Sequence, residues 1–223
     1  MQRDLVRRDV LMGAAALATA GLIAPAGAQA PASSIKLPAP STDSGLSVMQ
    51  ALGKRRSIRS FSKQPLSEQS LSNVLWAAFG VNRPEGAERT APSWRGSKET
   101  DVYACTADGV FLYEPKSHVL QRTLGTDIRA KTSSMVFAGS APVVLVYAAD
   151  LSRMAKASRE DQVLNAHVDA GIIGQNVYLY CASAGLATVI LGSIDRAGLP
   201  RRMGLREGQI VTFAQPVGHP AQG

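Results

Sequence analysis

The sequence predicts a single layered domain of the α/β or α+β class, on three observations. Helical stretches alternate with short strand-like runs. One of those runs, Pro142 to Ala148, is almost wholly apolar, as a strand buried on both faces must be. A strand–turn–strand signature surrounds Asp108-Gly109, a pair that favours the positive φ of a tight hairpin turn. Elements that each carry an apolar face reach a stable core by stacking in layers.

The chain opens on a segment that belongs to targeting rather than to the fold. Arg7-Arg8 is followed by Asp9, by the apolar pair Val10-Leu11 and by an Ala- and Gly-rich run to Ala24. Pro25 breaks the run, and Ala28-Gln29-Ala30 supplies a small-x-small cleavage pattern. Residues 1–30 are therefore expected to be a twin-arginine signal peptide, with the remainder exported to the periplasm. Pro31 to Ser44 is rich in Pro, Ser and Ala, so residues 31–45 are expected to be a flexible tether, extended rather than packed. The folded domain is expected over 46–223.

Within it, Leu46 to Leu52 spaces apolar residues three and four apart, the period of a helix. After Pro65, the residues Leu66, Leu71, Val74, Leu75, Ala78 and Phe79 repeat that spacing, and Ser67 with Ser70 marks a helix start. A long loop covers Val81 to Lys98. Asp101 to Thr106, Val110 to Tyr113 and Val119 to Arg122 read as a three-stranded meander. A long helix is expected from about Gln162 to Ala184. Strands at Thr188 to Leu191 and Gln209 to Phe213 flank a short helix near Leu199 to Met203.

Totals narrow the function. The 223 residues are 45% hydrophobic and 18% charged, ample for a core. The formal charge is +7, but the 24 Lys and Arg are scattered and few aromatics lie beside them. That pattern lacks the basic footprint of a nucleic-acid binder. Cys105 and Cys181 are too few for a disulfide framework and read as two buried free thiols, although an oxidising compartment would permit a bridge between them. His118, His167 and His219 form no pair at zinc-binding spacing. No apolar stretch reaches the ~18 residues of a bilayer span.

Four segments could carry chemistry. Lys54-Arg55-Arg56-Ser57-Ile58-Arg59-Ser60-Phe61 puts four cations and two hydroxyls in one short stretch, able to clamp a phosphate or to sit as a solvated basic patch. Arg89-Thr90-Ala91-Pro92-Ser93-Trp94-Arg95-Gly96 lies in the long loop and could present hydroxyl and backbone groups to a planar heterocycle. Asp169-Ala170-Gly171-Ile172-Ile173-Gly174-Gln175-Asn176 places small residues at helical spacing, suited to a flat ring or to another helix. Gly185 to Ser193 runs from a helix C-cap to Gly192, where a missing Cβ lets backbone approach a ligand.

In this order, the four segments resemble the nitroreductase family over nearly all of Ser47 to Pro220. Arg55, Arg56, Ser57, Arg59 and Phe61 look like its Arg-Arg-Ser-x-Arg-x-Phe phosphate motif. Pro92-Ser93 looks like its flavin-facing Pro-Ser, and Gly185 to Gly192 like its Gly-Leu-Gly-Thr-x-x-x-Gly turn. Gln215 to Pro220 resembles its closing Gly-Tyr-Pro. Trp94, Gly96 and Lys98 stand where the family often has Ala, Asn and Gln.

The resemblance implies an α+β, three-layer fold with a central, mainly antiparallel sheet flanked by helices. It implies an FMN-dependent oxidoreductase, working by ping-pong hydride transfer through flavin N5 to or from a small organic substrate. The FMN-binding residues would be Arg55, Arg56, Ser57, Arg59, Pro92, Ser93, Ile190, Leu191 and Gly192. Their roles would be to hold the phosphate, face the ring and bring a backbone N–H near Leu191 or Gly192 to N5. No acid–base residue is implied. The family's intertwined homodimer would place FMN at the subunit interface, with Pro92-Ser93 reaching the flavin held mainly by the other subunit. A flavin dehydrogenase of a heterocyclic or peptide-derived substrate, or a flavin-binding protein without turnover, would share these motifs. A folded-state export route suits a chain that must close around a non-covalent cofactor, and it separates the chain from cytoplasmic NAD(P)H.

Overall fold

The apolar run expected as a doubly buried strand extends from Val143 to Asp150, with all eight residues buried, and the fold is arranged about it. The computed structural model describes residues 34–43 and 45–221. In chain order the strands and α-helices are β1 (Ser34–Lys36), α1 (Val48–Lys54), α2 (Glu68–Phe79), β2 (Val81–Arg83), β3 (Glu88–Arg89), β4 (Thr100–Thr106), β5 (Gly109–Glu114), β6 (Val119–Leu124), β7 (Val143–Asp150), α3 (Arg159–Ala184), β8 (Ala187–Thr188), α4 (Gly198–Met203) and β9 (Gln209–Gly218).

Seven strands form one sheet in the order β1-β6-β5-β4-β7-β9-β8, every neighbouring pair antiparallel. Strands β2 and β3 make a separate small hairpin. The β4–β5 hairpin turns at Ala107-Asp108, and Gly109 takes φ 134°. A Cβ at Gly109 would run into the Leu124 carbonyl, so the turn needs glycine there.

Alternation along β7 separates the two faces. Val143, Leu145 and Tyr147 pack with Val102, Ala104, Phe111 and Tyr113 against α2 and α3. Val144, Val146 and Ala148 pack with Tyr103, Cys105 and Val211 against Leu199 and Met203 of α4. The result is the expected three layers, helices on both sides of an antiparallel sheet. Each large apolar side chain fully buried here contributes ~1.5–3 kcal/mol. Cys181 belongs to the first face and Cys105 to the second, both as buried free thiols.

Local chemistry sets the helix ends. Ser67 Oγ accepts from Ser70 N–H at 3.1 Å and caps α2. Ser158 Oγ accepts from Asp161 N–H at 3.1 Å and caps α3, with Glu160 and Asp161 in its first turn. Helix α3 therefore starts ahead of its apolar periodicity, at Arg159 rather than near Gln162. Gly185, at φ 70°, closes it.

Three sequence expectations change. The segment 31–45 is not an unpacked tether where it is described. Ser34–Lys36 pairs with residues 119–121 of β6, and Leu37 is 5% exposed in the core. The Pro38 carbonyl accepts from Ser72 Oγ at 2.6 Å and lies 3.0 Å from His118 Nε2. Extended, proline-rich backbone was legible; the free sheet edge that captures it was not. The strand expected at Gln209 to Phe213 continues to Gly218, because Pro216 and Gly218 lie inside pairing with β7 and β8. Conversely, Thr188 to Leu191 is strand only at Ala187–Thr188, followed by an isolated Leu191–Ala214 bridge. The leader expected at 1–30 lies outside the described residues. Among the described residues, no helix is long and apolar enough to cross a membrane.

Candidate active site

Helix α3 is the spine of the site, because three of the four motif segments are anchored to it. The Tyr178 hydroxyl accepts from Ile190 N–H at 3.0 Å and shares a 2.9 Å hydrogen bond with Ser57 Oγ. The Arg55 guanidinium lies over the Tyr178 ring, 5.1 Å from its centroid. One tyrosine thus joins the basic cluster to the 190–192 turn. Ile58 N–H donates to Thr188 O at 3.0 Å and pins the same cluster to β8.

The cluster is not neutralised by the described residues. Among the described residues, Arg55, Arg56 and Arg59 enter no ion pair. Arg56 donates to the Gly53 and Arg55 carbonyls, and Arg59 to the Ser57 carbonyl at 3.4 Å. A cleft of about 440 Å³ is lined by Lys54, Arg56, Ile58, Tyr178 and Thr188, among others. Unpaired guanidiniums beside hydroxyls form an anion-ready surface.

In the turn, the N–H groups are unevenly used. Ile190 N–H is taken by Tyr178, and Leu191 N–H by the Ala214 carbonyl at 2.7 Å. Gly192 N–H donates to none of the described residues, while its carbonyl accepts from Ile194 N–H at 2.9 Å and Arg196 Nη1 at 3.1 Å. A Cβ built on Gly192 would meet only Phe213, at an ordinary 3.8 Å. Protein packing does not require glycine there.

The Pro92-Ser93 loop hangs on the middle of α3. Trp94 N–H donates to Asp169 Oδ2 at 2.7 Å, and Asn176 Nδ2 to Thr90 O at 3.2 Å. Ser93 Oγ accepts from Lys98 N–H at 2.9 Å, closing the loop on itself. Arg95 and Lys98 hold φ values of 48° and 51°, in the left-handed region that costs a non-glycine residue energy. Arg89, Pro92, Ser93 and Lys98 line a cleft of about 450 Å³. Asp169 and Tyr178 are nine residues apart, about 14 Å along the helix. The two clefts share no lining residue.

The nitroreductase family profile matches residues 52–219, most of the chain. This chain belongs to the nitroreductase family. A Methanocaldococcus jannaschii protein named as a nitroreductase is 32% identical over 150 residues, 63% of this chain and 75% of that protein. A Ralstonia eutropha protein of the same naming has a crystal structure that superposes with a TM-score of 0.82 at 39% identity, covering 85% of this chain and 90% of that one. A Desulfovibrio desulfuricans nitroreductase-type structure, solved with FMN, shares the fold at TM-score 0.57 and 24% identity, covering 78% and 87% of the two chains. The chain is accordingly an oxidoreductase of this family.

Set within the nitroreductase framework, the predicted residues divide into two groups. Arg55, Ser57 and Ile190 meet through Tyr178, while Pro92 and Ser93 stand apart in the same protomer. The small-residue segment of α3 also divides. Gly174 packs inward, where a Cβ would press on Ile190 Cδ1 at 2.6 Å, so helix packing explains it; Gly171 faces open space. Neither cysteine is a nucleophile: burial pushes the Cys105 thiol up to about 12 and Cys181 higher still. Tyr178 and the anchoring role of Asp169 were not anticipated. An acidic residue among Val168, Ala170 and Ile173 was the available signal for Asp169. A tyrosine in a long helix gave none for Tyr178.

Proposed function

We propose that the chain is an FMN-dependent oxidoreductase that passes hydride to or from a small organic substrate. The observation that carries this reading is the 190–192 turn. Two of its three N–H groups are committed within the protein, and the third, on Gly192, borders space that no side chain fills. A glycine unexplained by packing, on a turn that Tyr178 ties to a cluster of guanidiniums without ion pairs among the described residues, suits a flat anionic cofactor. When bound, FMN supplies the two-electron chemistry. Arg55, Arg56, Ser57 and Arg59 would hold its phosphate. Gly192 N–H, rather than Leu191 N–H, would donate toward the N5 edge, with Ile190 and Leu191 shaping the turn. Pro92 and Ser93 would face the ring.

Separation of the two clefts within one protomer favours a homodimer in which Pro92-Ser93 serves the partner's flavin. A second observation supports that assembly. Leu164, Val168 and Ile172 are 59%, 49% and 37% exposed, an apolar stripe at four-residue spacing on α3. A stripe of this kind on a helix calls for a covering partner.

Reconstitution with FMN followed by gel filtration tests both points. A bound-flavin visible spectrum at the mass of a dimer is expected, and a colourless protein after reconstitution would overturn the reading. Product analysis with the loaded enzyme then separates reduction of a small organic acceptor from dehydrogenation of a heterocyclic or peptide-derived substrate.

The twin-arginine leader, and with it a periplasmic location, rests on Arg7-Arg8 and the cleavage pattern in the sequence. Replacing Arg7 and Arg8 with Lys should hold the protein in the cytoplasm, read by cell fractionation. Undiminished export would assign the general secretory route.

A further inference from the structure

Among the described residues, the guanidinium of Arg89 enters no ion pair and no hydrogen bond, although its Nε and Nη1 are sealed from water. Buried polar groups are almost always paired, and an unpaired buried charge is the costliest exception. An arginine cannot escape that cost by giving up its proton. Burial does pull Arg89 below its ordinary value, against the opposing fields of Tyr113, Glu114 and Glu88.

The backbone gives Arg89 little freedom to find a partner elsewhere. It pairs with Val81 across the β2–β3 hairpin. The next residue, Thr90, donates its N–H to the Gly80 carbonyl at 2.9 Å and its Oγ1 hydrogen to the Trp76 carbonyl at 3.1 Å. The Arg89 guanidinium lies over the Phe79 ring, 5.4 Å from its centroid. The hairpin thus holds this side chain against the C-terminal turn of α2.

Nη2 is the one guanidinium nitrogen that is neither sealed nor hydrogen-bonded to a described residue. Arg89 borders two clefts. One, of about 450 Å³, is shared with Pro92 and Ser93; the other, of about 500 Å³, is shared with Tyr113 and Glu114. The partly buried cations on these walls are already committed. Lys98 Nζ pairs with Glu88 at 3.4 Å, and Arg153 Nη1 with Asp101 at 2.9 Å. Arg206, also on the wall, pairs with Asp150 at 2.9 Å. Arg83 and Lys116 are exposed, where water solvates them. Glu114 is half-buried and makes no ion pair with Arg89. A single uncommitted, partly buried cation calls for a single negative charge from outside.

We propose that Arg89 is a substrate-binding residue for a small organic carboxylate, taken up in the cleft that it shares with Pro92 and Ser93. A carboxylate carries one charge, as the site requires, and its planar oxygens suit a planar guanidinium. The acid would stand on the same wall as the residues that would face the ring. Binding of the acid at Arg89 stands without the FMN reading above; its role as hydride partner rests on that reading.

Benzoate, benzamide and inorganic phosphate serve as probes. Calorimetric titration of the apoprotein should show benzoate saturating one site per chain, with benzamide and phosphate both weaker. Arg89→Met keeps the bulk of the stem and removes the charge. It should weaken benzoate by about one to two decades in Kd, the worth of one hydrogen bond to a charged group. Its apoprotein should unfold at the parent's Tm or higher, because a buried unpaired charge has gone. A parent that ignores benzoate, or a variant that binds it as tightly, overturns the site. Tighter binding of phosphate than of benzoate overturns the carboxylate. A lowered Tm in Arg89→Met that Glu114→Gln reproduces would make Glu114 the counter-ion and overturn the site as well. With FMN-loaded protein reduced by light, reoxidation by 4-nitrobenzoate and by 4-nitrobenzamide compares an acid with its uncharged analogue. The parent should prefer the acid, and that preference should fall about one to two decades in Arg89→Met. Benzoate binding without such a preference overturns the substrate role. Loss of FMN from Arg89→Met would give the anion to the cofactor and overturn that role too. Benzoate bound by a protein that takes up no FMN overturns the flavin reading and leaves the Arg89 site standing.

Discussion

Replacing both Arg55 and Arg59 with Ala should leave a folded protein that no longer retains FMN. Neither guanidinium is spent on an ion pair with the described residues, so their charge is open to an external anion. Arg59 makes one long contact, 3.4 Å to the Ser57 carbonyl, and Arg55 rests on the Tyr178 ring. Their loss therefore costs the fold little. An exposed cation–π contact contributes ~0.5–1 kcal/mol. A hydrogen bond to a charged group is worth ~1.5–3 kcal/mol. Two such contacts to a phosphate amount to ~3–6 kcal/mol, or about two to four decades in Kd. Titration of FMN fluorescence against the variant and against Arg201→Ala, an exposed arginine of α4, measures this. Retention of FMN at the level of the Arg201 control would move the phosphate site away from this cluster.

The fold was readable where local chemistry and burial agree. The β7 run is apolar because both of its faces are covered, and the Ser67 and Ser158 caps make their helix starts a matter of a few residues. Strand β1 was unreadable for the converse reason. Ser34-Ile35-Lys36 has no strand pattern of its own and forms because β6 offers an edge about 85 residues later in the chain.

The site divides along the same line. Arg55 to Arg59, Pro92-Ser93 and Gly192 stand out as residue types. The hydrogen bonds that arrange them are long-range, as between Ser57 and Tyr178, 121 positions apart. The choice among Ile190, Leu191 and Gly192 needed the β9 carbonyl and the Tyr178 hydroxyl to show which N–H groups are spent.

Gly192→Ala tests that choice with the protein's own packing as the control. Gly192 does not hold a positive φ, so alanine is not strained there. The added methyl would lie 3.8 Å from Phe213 Cε1, an ordinary contact, and otherwise in open space. Thermal unfolding of the apoprotein should accordingly be unchanged or slightly raised, because alanine restricts the unfolded chain more than glycine does. The flavin-loaded enzyme should respond differently. If the ring edge rests against this backbone, a methyl group must push it away by an ångström or more, and a misplacement of about 1 Å can cost about a hundredfold in rate. The expected result is an unchanged Tm with turnover lowered about a hundredfold, FMN affinity falling with it. Equal turnover in the two proteins would show that Gly192 does not border the reacting edge. A lowered apoprotein Tm would show instead that the glycine serves the fold. Gly174→Ala supplies the opposite pattern for comparison. Its methyl would press on Ile190 and Gln215, so the apoprotein itself should lose stability. Gly174 is held by contact with Ile190, whereas a Cβ at Gly192 would meet only Phe213, so the pair of variants separates a glycine that packing requires from one that it does not.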